Sequence, residues 1–114
     1  MSCQTYVIMQ DGALATGDGA ALPCTSNEYT LTKAALQLTI AGTATVTFEA
    51  TVDGTNWGGV SAHDVTQVAG QTHVATATAS GIYHVDVAGF DSIRARISSW
   101  TSGAVTVVGR AIEE

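Results

Sequence analysis

Apolar and polar residues alternate with a period of two along most of this chain. In Thr45-Val46-Thr47-Phe48-Glu49-Ala50-Thr51-Val52, the residues Val46, Phe48, Ala50 and Val52 fall on one side and Thr45, Thr47, Glu49 and Thr51 on the other. Successive side chains of an extended strand point to opposite faces, so this alternation predicts a half-buried strand. The same reading makes residues 82–87 a strand with Tyr83, Val85 and Val87 inward and His84 and Asp86 outward. Residues 92–99 then place Ile93, Ala95 and Ile97 inward and Arg94 and Arg96 outward. Further strands are predicted at 6–10, 28–32, 36–40, 65–69, 72–78 and 104–112. Only Thr32-Lys33-Ala34-Ala35-Leu36-Gln37-Leu38 offers a helical candidate, and alternation fits it equally well.

The segments between strands carry turn chemistry. Asp53-Gly54-Thr55-Asn56 combines residues that tolerate left-handed geometry with a glycine that supplies positive φ. Gly70-Gln71 reads as a tight hairpin, Ala88-Gly89-Phe90-Asp91 as a turn joining two neighbouring strands, and Ser99 to Gly103 as another turn. About eight strands with short turns predict an all-β, antiparallel, two-sheet β-sandwich of jelly-roll type. Residues 1–24, rich in Gly and Ala, read as an extended N-terminal arm, and 25–114 as the sandwich domain.

Composition sharpens this picture. Of 114 residues, 46% are hydrophobic and 12% charged, about half the usual charged share of roughly 25%. A neutral, Thr-rich exterior suits a pleated surface. The net charge is −6, and the fixed cations are Lys33, Arg94, Arg96 and Arg110. Four scattered cations make no basic groove, so nucleic acid is excluded as a partner. No apolar run approaches the roughly 20 residues of a membrane-spanning helix, and no membrane partner is expected. Met1-Ser2-Cys3-Gln4 lacks the charged and apolar regions of a secretory signal, which predicts synthesis in a cytoplasm. Cys3 and Cys24 are then expected to be reduced and packed, a bridge pinning the arm being the alternative.

No constellation predicts catalysis or a cofactor. His63, His73 and His84, with Asp64 and Asp86, match no metal-ligand spacing, and solvent-facing histidines are the simpler reading. There is no Gly-x-Ser-x-Gly elbow and no Cys–His spacing of a nucleophile. Asp53 to Asn56 lacks the alternating acids of a calcium loop. Asp86 is placed to pair with Arg94 or Arg96 across a hairpin, either as a solvated face or as an interface patch. Trp57 and Trp100 sit at turns, where they cap a core or stack on sugars.

The segment Phe48-Glu49-Ala50-Thr51-Val52-Asp53-Gly54-Thr55-Asn56-Trp57 resembles a phrase recurrent in tailed-bacteriophage virion proteins, as do Gly81-Ile82-Tyr83-His84-Val85-Asp86-Val87-Ala88-Gly89, Arg94-Ala95-Arg96 and the closing Ser102 to Ala111. The resemblance spans about residues 34–112 and implies a structural virion β-sandwich, of head-decoration (cement) type or from a tail or fibre. The lack of coiled-coil heptads or collagen-like repeats and an arm able to lie across a neighbouring subunit favour decoration, and with it binding to the phage major capsid protein, self-association into a homo-oligomer such as a trimer, and a final place on the capsid surface. The partner-binding candidates are Tyr6, Val7, Ile8, Leu14 and Leu22 in the arm, with Arg94, Arg96 and Trp100. The alternative, a carbohydrate-binding adhesion module of a tail or fibre, rests on Trp57 and Trp100.

Overall fold

The computed structural model describes residues 6–24, 31–65 and 73–112. These residues form eleven strands and no helix: β1 (Val7–Ala13), β2 (Leu22–Pro23), β3 (Lys33–Ile40), β4 (Thr43–Thr51), β5 (Trp57–Gly59), β6 (Ala62–Asp64), β7 (His73–Val74), β8 (Thr76–Ala77), β9 (Gly81–Asp86), β10 (Ser92–Ser102) and β11 (Val105–Ile112). One sheet has six strands in the order β1-β11-β3-β9-β6-β7. The other runs β2-β10-β4-β5, with β8 also paired to β4. Every pairing is antiparallel, and the two sheets pack as a β-sandwich.

Alternation builds the core as read. Leu36 and Leu38 of β3, Val46 and Phe48 of β4, Tyr83 and Val85 of β9, and Ile93, Ala95 and Ile97 of β10 are all buried. The Phe48 and Tyr83 rings, one from each sheet, meet at 5.5 Å between centroids. The helical candidate at 32–38 is strand β3, paired on both sides by β11 and β9, so tertiary pairing decides what local propensity left open. Val52, expected inward, is 72% exposed because β4 ends at Thr51. Of the other predicted strands, 28–32 and 65–69 and the Gly70-Gln71 hairpin fall mostly or wholly outside the described residues. Leu31, Thr32 and Val65, which are described, lie outside the strands.

Two expectations are corrected. Residues 7–24 are not a free arm. β1 pairs along β11 in the larger sheet, then Gly17 bridges Ile97 and β2 pairs β10 in the smaller one. Burying Met9 and Leu22 to 1% and 0% exposure fixes this segment in the core. Secondly, Ala88 to Asp91 does not close a hairpin. β9 and β10 lie in different sheets, and the connection is a crossover in which the Val87 amide bonds to Thr32 and the Asp91 amide to Thr51.

Candidate functional site

The antiparallel registers line up side chains in rows across the outer face of the six-stranded sheet. Ile8 lies opposite Val108, Val108 opposite Gln37, and Gln37 opposite Ile82. In the next row Arg110 lies opposite Ala35, Ala35 opposite His84, His84 opposite His63, and His63 opposite His73. Lys33 and Asp86 face each other in a third. Ile8, Ile82 and the adjoining Tyr6 are 46%, 40% and 53% exposed, so the part of the face from β1 to β9 carries apolar side chains open to solvent. Tyr6, Ala35, Gln37, Ile82, Val108 and Arg110 line a depression of about 380 Å³. A second, of about 310 Å³, lies among Lys33, Ser61, His63, His73, His84 and Asp86.

Spacing along the chain gave the histidines no metal-ligand motif. Strand register brings them together, and the His63 and His73 rings stack at 5.3 Å with 23° between planes. Among the described residues no three His, Cys, Asp or Glu side chains converge on one point as they stand.

The outer face of the smaller sheet carries a charge network instead. Glu49 lies opposite Arg94 in the β4–β10 ladder, and Arg94 Nε donates to Glu49 Oε1 at 2.7 Å. Asp18, from the chain between β1 and β2, approaches Arg94 and Arg96 at 3.5 Å each. Arg96 Nη1 also reaches Glu49 Oε2 at 3.6 Å. The Arg94 guanidinium lies 4.2 Å over the Trp57 ring. The expected Asp86 pairing to these arginines is therefore wrong: Asp86 is on the other sheet, and Glu49 and Asp18 take its place.

The remaining candidates are dispersed. Leu22 is fully buried and Val7 packs against the core, so neither presents a contact surface. Leu14 is 63% exposed just beyond β1. Trp100 is half-buried, and its Nε1 donates to the Gly103 carbonyl at 2.8 Å. Trp57 lies opposite Thr51 and Trp100 opposite Ala44. Seven residues of β4 separate those positions, about 23 Å at roughly 3.3 Å per residue, so the tryptophans make no common sugar platform. The Asp53 carboxylate accepts bonds from the amides of Thr55 and Asn56, from Asn56 Nδ2 and from Thr51 Oγ1. Those bonds hold its pKa well below the usual carboxylate range and spend its oxygens on the turn. Cys24 is a buried free thiol, and Cys3 lies outside the described residues.

The fold matches two solved structures over nearly the whole chain. SPBc2 prophage-derived protein YomS superposes with a TM-score of 0.82 at 15% identity, covering 97% of this chain and 95% of that one. PBSX exported protein XepA gives a TM-score of 0.83 at 18% identity, covering 96% of this chain but 37% of that one. No curated protein matches the chain in sequence. The XepA family model matches residues 4–111, including the segment before residue 34 where the virion-protein resemblance stopped. On that match, spanning both sheets and both candidate faces, the chain belongs to the XepA family.

Proposed function

We propose that this chain is a non-catalytic, phage-derived structural module that binds the outside of an assembled capsid and stabilises it by bridging coat subunits. Membership in the XepA family and the likeness of its fold to a prophage-derived protein support the phage origin. The observation that carries the binding role is the set of exposed apolar side chains Tyr6, Ile8 and Ile82, which with Val108 surround the polar Gln37 on one open sheet face. A contiguous apolar patch on a sheet face marks a contact with another protein. It replaces the arm as the binding element, since residues 7–24 are committed to the sandwich. A shell presents many copies of its coat protein, so self-association, into trimers for example, multiplies a weak contact into firm attachment. The chemistry is burial of surface, with no bond made or broken.

Cosedimentation of the protein with purified heads, and separately with purified tails, tests this reading. Saturable binding to heads is expected, with loss in an I8E/I82E double variant whose thermal melt stays close to that of the parent. Binding only to tails, or to neither particle, overturns the capsid assignment. Undiminished binding by the variant overturns the choice of face.

A further inference from the structure

We infer that His63, His73 and His84 form a chelating site for one divalent transition-metal ion, such as Zn²⁺ or Ni²⁺, on the outer face of the six-stranded sheet. The three sit side by side on β9, β6 and β7, His63 lying directly opposite both of the others. Directly opposed residues on neighbouring strands carry Cβ atoms roughly 4.5–5.5 Å apart on the same face. Two Zn–N bonds of about 2.0–2.1 Å at a tetrahedral angle need ring nitrogens roughly 3.3 Å apart, within reach of such a pair. The stacked contact of His63 and His73 at 5.3 Å already holds two imidazoles side by side, and His84 shares their depression.

The rings stack instead of converging because two imidazole lone pairs gain nothing by facing each other. Exposed side chains change rotamer within nanoseconds, so an ion selects the chelating arrangement at some cost in affinity. Imidazole favours zinc, nickel and copper over the oxygen-seeking calcium and magnesium. The nearby Lys33 ammonium opposes a cation; Asp86, opposite Lys33 and on the same face as His84, offsets it and supplies a further oxygen. Solvated, independent histidines are the simpler alternative, and the two differ in a measurable way.

Tag-free protein titrated calorimetrically with ZnCl₂, and separately with NiSO₄, at about pH 7.5 decides between them. One equivalent is expected to bind with micromolar affinity and to raise the melting temperature. H63A, which removes the central ligand, and H73A, at an exposed position, are each expected to weaken binding at least about tenfold. Both should melt like the parent in the presence of a chelator. No heat of binding, or binding unchanged in both variants, overturns the site.

Discussion

The side-chain amide of Gln10, on β1 of the larger sheet, donates to the backbone carbonyl of Ala95, on β10 of the smaller sheet, at 2.9 Å. The edge of β10 is paired by β2 at Ile93 and by Gly17 at Ile97, and Gln10 Nε2 fills the gap between them while also bonding the Gly17 carbonyl at 3.2 Å. It reaches inward because the register of β1 slips from Ile8↔Val108 to Gln10↔Val107, a bulge that buries Met9 and Gln10 in succession. Q10A strands a buried carbonyl and should cost about 1–3 kcal/mol. Urea unfolding of the variant checks this. A midpoint equal to the parent's means that the bond contributes nothing net.

The β10–β11 turn depends on backbone contact with the β3–β4 turn. Gly103 has φ +81°, and a Cβ there would overlap the backbone of Gly42 and approach Ala41 C at 2.9 Å. Left-handed geometry alone costs a non-glycine residue roughly 1–2 kcal/mol, so G103A should lose more than about 2 kcal/mol once the clash is added. G89A is the control: Gly89 also has positive φ, but nothing lies within 4 Å of its Cβ position. Thermal melts of the two variants should separate clearly. Equal losses would assign the whole effect to φ.

Which faces are buried was legible wherever alternation ran unbroken, as in Tyr83–Val85–Val87 and Ile93–Ala95–Ile97. Which strands are neighbours was not. Residues 82–87 and 92–99 have the pattern of a hairpin, yet they lie in opposite sheets, because alternation records a strand's two faces and not its partners. The same blindness hid the Glu49 partner of Arg94 and the row of three histidines, whose members are 10 and 11 positions apart in the chain. The strand expected at 6–10 is β1, but the register slips after Ile8 and after Gln10 and the short β2 left nothing in the sequence to show that residues 11–24 pair with both sheets.

Arg94 and Glu49 form a shielded pair, their side chains 18% and 13% exposed, with the Trp57 ring against the guanidinium. Shielding strengthens a charge-assisted bond and makes its loss costly. A double-mutant cycle of R94A and E49A should give a coupling of about 1–2 kcal/mol, only slightly reduced by added salt. D18A should change stability by less than about 0.5 kcal/mol, because Asp18 is 59% exposed at its ion pairs. R94K keeps the charge but loses the planar stack, so the emission of Trp57 should shift in a W100F background. A coupling near zero would reduce the network to surface decoration.

Cys24 is completely buried, and its Sγ donates to the Leu22 carbonyl at 3.4 Å. Burial, aided by the Asp91 charge and opposed by a bond from the Ile93 amide, pushes the thiol from its ordinary 9.0 up to about 11. Between those values the unfolded chain has released the proton that the folded chain retains. Stability therefore falls as pH rises through that window, and the contribution of the neutral thiol is complete below about pH 9. Urea midpoints measured from pH 8 to pH 10.5 should decline more steeply for the parent than for C24A, which cannot titrate there. In a C3A background the remaining thiol should also resist aromatic disulfide reagents at about pH 8 until the protein unfolds, since the thiolate is the reacting species. Rapid labelling of the folded protein, or parallel pH profiles for parent and C24A, would place the thiol in contact with water and remove the basis of the shift.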